Sequence, residues 1–236
     1  MILPCYLAMT GAEFDSASTL PEKPAWMACH FSCYSTGLSN LPQALPPGSM
    51  LIVNDRTPVS GHDPVRIVKQ LQQLVEELSV ERVLLDLQRP DNEDTSGIVK
   101  EVISSLPCPV AVTAPYAAEP AWPVFLPPPP IHIPLKEYLS PWKEREIWLE
   151  LMPDAEELVI AADGCHIHPL THADLKEPIH EHKGLVCRYH IDVLEDKAIF
   201  TLERRMEQLQ DFLTLAKELG VVCAVGLYQQ LKIPEA

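Results

Sequence analysis

The sequence predicts an α/β protein: a reduced, irregular TIM-like (β/α) barrel carrying a β-rich insertion. Three observations predict it. About eight apolar runs read as strands but only three segments read as convincing helices. A full (β/α)8 barrel takes about 250 residues, so a helix-poor barrel fits the 236 present. The middle of the chain alternates strand–helix–strand–helix–strand, which calls for a parallel sheet with helical cover. The alternative, an open doubly wound sheet, expects a Gly-rich phosphate loop after its first strand. Here TGAEFDSAS follows instead.

The elements follow in order. ILPCYLAM (2–9), AWMACHFSCY (25–34) and SMLIVND (49–55) are apolar runs bounded by Gly or Pro, and each reads as a buried strand. Asp63 is a natural N-cap and Pro64 suits the first helical position, where its missing N–H costs nothing. Val65, Val68, Leu71, Leu74, Val75 and Leu78 then recur at helical spacing. ERVLLDLQ (81–88) is the next strand. A helix capped within Asp94–Ser96 follows, with Ile98, Val99, Val102, Ile103 and Leu106 as its stripe. PCPVAVTAP (107–115) and WPVFLP (122–127) read as strands. Residues 131–195 hold extended runs without a helical stripe, so hairpins are expected there. Thr201 can cap a last helix carrying Leu202, Met206, Leu209, Phe212, Leu213, Ala216 and Leu219, stopped by Gly220. VVCAVGLY (221–228) closes what reads as a single domain over 1–236.

Composition narrows the function. A net charge of −15 opposes nucleic acid, whose phosphates are neutralised by Lys and Arg, and opposes anionic lipid. The first residues lack the basic region of a secretory signal, and no apolar run approaches the roughly 18 residues of a membrane span. Seven unevenly spaced cysteines do not make a disulfide framework. A cytoplasmic protein is expected. The 24 prolines cluster at segment edges, where they punctuate the fold.

Within VERVLLDLQRP (80–90), alternation puts Leu84, Asp86 and Gln88 on one face and Leu85 and Leu87 on the other. In a parallel barrel the C-terminal strand ends build the pocket. If this face points inward, Asp86 and Gln88 line the mouth and are the candidate catalytic pair. Tyr34, Asp55, Tyr116, Trp122 and Tyr228, near other strand ends, are the candidate substrate-binding residues. Glycoside hydrolysis by two carboxyls would need a second acid, such as Asp55 or Glu119.

Val83-Leu84-Leu85-Asp86-Leu87-Gln88 resembles the fourth-strand signature of family 18 glycoside hydrolases, the chitinase family, and of their non-catalytic relatives. The resemblance implies that Asp86 orients the acetamido group of a sugar. It also places Gln88 where those enzymes carry their general acid Glu, and Leu84 where they carry an earlier Asp. An amide donates and accepts hydrogen bonds but delivers no proton, so the resemblance implies sugar binding with hydrolysis impaired. The expected partner is an oligosaccharide or other small molecule, with no cofactor.

A competing site is the His/Cys cluster of 165–192. His166 and His168, and His180 and His182, form His-x-His pairs that share a face if extended. Such imidazoles suit zinc, which would make the protein a metal-binding enzyme or sensor. The third expectation is a non-catalytic interaction domain in which both features are incidental.

Overall fold

The computed structural model describes residues 3–231, so Ile2 of the first predicted strand lies outside the described residues. In chain order the elements begin with β1 (Cys5–Met9), α1 (Gly11–Ser16), β2 (Pro24–Phe31), β3 (Leu38–Ser39), β4 (Met50–Asn54), α2 (Pro64–Leu78) and β5 (Arg82–Asp86). They continue with α3 (Glu93–Ser105), β6 (Val110–Thr113), β7 (Val124–Leu126), α4 (Leu135–Leu139) and β8 (Ile147–Glu150). An antiparallel group follows: β9 (Asp154–Ala161), β10 (Gly164–Leu170), β11 (His180–His182), β12 (Cys187–Val193) and β13 (Lys197–Arg204). The chain returns through α5 (Met206–Glu218), β14 (Val221–Leu227) and α6 (Tyr228–Leu231).

Eight parallel strands run in the order β1-β14-β8-β7-β6-β5-β4-β2, and β2 pairs back onto β1. That last ladder, Leu7 with Pro24 through Met9 with Trp26, closes the sheet into a barrel and rules out the open doubly wound alternative. Alternation along each strand sorts the side chains. Tyr6, Met50, Leu84, Phe125, Trp148, Cys223 and Val225 fill the interior, whereas Val53, Val83, Leu85, Val112 and Leu149 face the outer layer. Beneath the interior, the Arg82 guanidinium stacks over the Trp148 ring at 5.2 Å.

The outer layer is thin, as expected from three helices. Asp63 caps α2 by accepting from Val65 N at 3.0 Å, with Pro64 at the first helical position; Ile67, Leu71, Leu74 and Val75 turn inward. The cap of α3 is Asn92, which accepts from Thr95 N at 3.0 Å. The helix therefore starts earlier than the predicted Asp94–Ser96 cap, because Asn92 precedes an acidic first turn that favours the helix N-terminus.

The inserted sheet is antiparallel, in the order β10-β9-β13-β12-β11. It spans Asp154 to Arg204, later at both ends than the predicted 131–195. EIWLEL, which falls in that predicted range, contributes β8 to the barrel. The predicted cap Thr201 lies in β13, paired with both Glu157 and His190, and α5 starts at Met206. Leu202 fits both periods. Spaced four residues from Met206 it looks helical, yet with Phe200 it makes a strand face. Buried Arg204 ties the insertion to its surroundings. It donates to Leu185 O at 3.0 Å and Val186 O at 3.3 Å, and its guanidinium lies 4.4 Å over the Phe212 ring.

Candidate active site at the barrel mouth

A cavity of about 100 Å³ opens at the C-terminal ends of the barrel strands. Asp86 and Gln88 line it, with Asn54 from the end of β4, Glu150 from the end of β8, and Met27, Phe125 and Leu227 as apolar wall. Asp86 enters because Leu84 and Asp86 share the inward face of β5, while Leu85 and Leu87 are buried on the helix side.

Gln88 lies two residues beyond the end of β5, and its backbone is fastened from three directions. Asp55 accepts from Gln88 N at 3.0 and 3.1 Å and from Arg89 N at 2.7 Å. Thr113 Oγ1 donates to Leu87 O at 2.7 Å, and Tyr116 OH donates to Arg89 O at 2.6 Å. The Gln88 side chain, so held, donates from Nε2 to Asp86 Oδ1 at 2.6 Å. Pinning the turn fixes where the Gln88 side chain leaves the backbone.

The two cavity carboxyls have shifted protonation. Burial raises Asp86 above the ordinary aspartate value; the Gln88 hydrogen bond opposes that rise and the nearby Asp55 charge adds to it. Burial also raises Glu150, and the Asp86 charge raises it further. The Tyr138 hydroxyl is pushed up to about 12 by burial and by the charge of Glu150. Both cavity acids therefore favour their neutral forms more than free side chains do.

The other sequence candidates lie elsewhere. Asp55 is 4% exposed and its carboxylate is occupied by the Gln88 and Arg89 amides, outside the cavity lining. Tyr116 is buried with its hydroxyl spent on Arg89 O. Trp122 packs half-buried against the outer core. Tyr34 is 96% exposed in the loop after β2, and Tyr228 is the first residue of α6. Glu119 is exposed in the β6–β7 connection. Phe125 is the aromatic residue that does line the cavity. Glu150, absent from the sequence candidates, carries a visible signal: Ile147-Trp148-Leu149-Glu150 is an apolar run ending in an acid, as is Leu84-Leu85-Asp86.

His166 and His168 lie on β10, whereas His180 and His182 lie on β11, the opposite edge of the inserted sheet. Four strand spacings of about 4.8 Å hold the two pairs about 19 Å apart, beyond the reach of one ion. Among the described residues, no group of three or more His, Cys, Asp or Glu side chains converges to hold a metal. Among them too, no helix is long and apolar enough to cross a membrane.

No family model matches the sequence, and no curated protein matches it. Solved structures do match its shape. A family 18 N-acetylglucosaminidase from Paenibacillus barengoltzii superposes with a TM-score of 0.57 at 7% identity, over 97% of each chain. The fold is that of family 18 glycoside hydrolases. A family 18 chitinase from Cycas revoluta gives 0.55 at 9% identity, over 96% of this chain and 95% of that one. The spore cortex-lytic enzyme SleL of Bacillus cereus gives 0.56 at 11% identity, over 98% of this chain and 73% of that one. At such identities the likeness is one of architecture. The closed barrel is shared, and the chemistry of Asp86, Gln88 and Glu150 rests on the side chains present.

Proposed function

We propose that the barrel mouth binds an oligosaccharide containing N-acetylated sugar, seating one acetamido group in the cavity between Asp86, Gln88 and Glu150. The observation that carries this reading is the Asp86–Gln88 pair at the cavity, preorganised by the Asp55, Thr113 and Tyr116 contacts. A cavity of about 100 Å³ is small beside the roughly 300–1,000 Å³ of drug-sized ligand pockets. It suits a single substituent, with the sugar ring lying across the opening. An acetamido group offers one N–H and one C=O, which match a carboxylate acceptor and a protonated acid or amide donor. Its methyl has Met27 and Phe125 to pack against.

Hydrolysis through position 88 is excluded by its chemistry, because Gln88 has no proton to give a leaving oxygen. General acid assistance typically contributes roughly 10²–10⁴-fold, so the mouth holds a sugar without the family's usual route to cleaving it. Binding needs hydrogen-bond partners and an apolar wall, not proton delivery. The Cycas revoluta chitinase was solved with (GlcNAc)4 in a variant with a Glu-to-Gln replacement, and a class V chitinase from Nicotiana tobaccum was solved with NAG4 in the same kind of variant.

Calorimetric titration with (GlcNAc)4 tests the reading. Saturable binding to the wild type that disappears in Asp86→Ala, with the fold intact by circular dichroism, supports it. No heat from chito-oligosaccharides, or equal binding by both proteins, removes it.

A further inference from the structure

We infer that the free edge of the inserted sheet, β10, is a dimerisation surface whose partner is a second copy of this chain, paired antiparallel through Cys165 and Ile167. It lies away from the barrel mouth and is independent of the sugar-binding reading.

The two edges of the inserted sheet are unlike. β11 is three residues long and carries Glu181, and a short, charged edge resists pairing with another chain. β10 runs for seven residues, Gly164–Leu170, without Asp, Glu, Lys or Arg, and pairs with β9 in unbroken register. It is exposed along nearly its whole length, and among the described residues no strand pairs with its outer side. In a chain of net charge −15, it is a segment on which two copies meet without opposing acids.

Backbone geometry selects the register. The turn Ala162-Asp163 closes the hairpin directly at the Ala161–Gly164 pair, which is therefore a hydrogen-bonded pair. Such pairs alternate with non-hydrogen-bonded ones, so Gly164, His166 and His168 turn their amides and carbonyls toward β9. Cys165, Ile167 and Pro169 turn theirs outward. An antiparallel copy must match outward residues with outward residues. A twofold axis at Ile167 sets Cys165 against Pro169, which has no N–H to give. An axis at Cys165 draws Asp163 of the turn into the ladder. An axis at His166 sets Cys165 against Ile167 of the second copy, twice by symmetry, using donors and acceptors that are already extended.

The side chains agree with that register. Ile160 and Ile167 are 46% and 44% exposed, and they share a face with Leu158, Cys165 and Phe200. The row Phe200-Leu158-Ile167 then continues through Cys165 and Ile160 of the second copy, and its symmetric equivalent crosses the other way. Leu170 pairs with Ala155, close to the end of barrel strand β8, whereas the hairpin turn lies at the far end of β10. Antiparallel pairing therefore carries the two barrels to opposite ends of a ten-stranded sheet, clear of one another. The interface is small, so the dimer is expected to have a Kd of roughly micromolar or weaker.

Sedimentation equilibrium from about 5 to 500 µM tests this, read against the Kd expected. Ile167→Pro deletes one outward N–H in each copy and leaves the β9 ladder whole, a change that edge strands tolerate. Its dimer is expected to be weaker by at least about tenfold, with circular dichroism unchanged. Ile167→Lys keeps every backbone group and sets a cation beside the seam; it is measured alongside in case the proline disturbs the hairpin, and the same weakening is expected. Under mild oxidation, His166→Cys in a Cys33→Ser, Cys165→Ser background is expected to form a disulfide-linked dimer, because Cα atoms facing across a non-hydrogen-bonded pair lie about 4.5 Å apart. A wild type that stays monomeric throughout the range overturns the inference. So does a dimer that neither Ile167 variant weakens, or one in which the His166→Cys variant does not cross-link.

Discussion

Gln88 Nε2 donates to Asp86 Oδ1 across 2.6 Å at the mouth of a closed eight-stranded barrel. The amide thus satisfies one oxygen of a half-buried carboxylate and faces the same cavity. An amide there holds hydrogen bonds but has no proton to deliver. The consequences can be measured.

Gln88→Glu places a second carboxyl against Asp86. Two carboxylates at hydrogen-bond distance do not both ionise at neutral pH, so one of them keeps a proton. The variant is expected to gain turnover on a fluorogenic chitobioside by roughly 10²-fold or more, the contribution of a positioned general acid. Initial rates compared with wild type at pH 6 check this.

Asp55→Ala removes the acceptor of three backbone hydrogen bonds and frees the turn that carries Gln88. Hydrogen bonds to a charged group are worth about 1.5–3 kcal/mol each, with incomplete additivity, so a loss of about 3 kcal/mol is expected. Urea unfolding gives the stability, and titration with (GlcNAc)4 shows whether affinity falls with it, as a turn unpinned from its binding geometry requires.

Glu150→Gln alters the pH dependence of stability with a defined sign. Glu150 is raised in the fold, chiefly by burial and then by Asp86. Its contribution is therefore fully present below the ordinary glutamate value of 4.5 and is lost as pH rises through the folded value. The neutral Gln avoids that loss. The variant is expected to melt a few degrees above wild type at pH 7 and level with it near pH 4. Thermal scans of both proteins across that range decide it.

Trp148→Ala empties the centre of the barrel. The side chain is fully buried, donates from Nε1 to Glu146 Oε1 at 2.8 Å and carries the Arg82 guanidinium on its ring. Large-to-small changes of this kind cost about 3–5 kcal/mol, and here Arg82 also loses its stacking surface. Chemical denaturation measures the cost.

Much of the barrel was legible because its signals are local. Asp63-Pro64 before a helical stripe admits one helix start, and the alternation through Leu84, Leu85 and Asp86 fixes which side chains share a face. Closure was less visible, since it depends on the pairing of Leu7–Met9 with Pro24–Trp26, a contact no local pattern announces. Asp55 shows the limit at the site. A carboxylate just beyond a strand reads alike whether it grips a turn or a ligand, and only the position of the Gln88 and Arg89 amides separates the two. Glu150 was missed for a related reason. Its strand falls among irregular, proline-broken sequence whose surroundings suggested hairpins. Thr201 misled because Leu202 satisfies a helical and an extended period at once.

The most direct measurement is a crystal of the wild-type protein soaked with (GlcNAc)4. The expected density has a sugar across the barrel mouth with its acetamido group in the cavity, within hydrogen-bond distance of Asp86. A bound glycan held elsewhere on the molecule, with the Asp86–Gln88 cavity untouched at saturating ligand, would contradict the account.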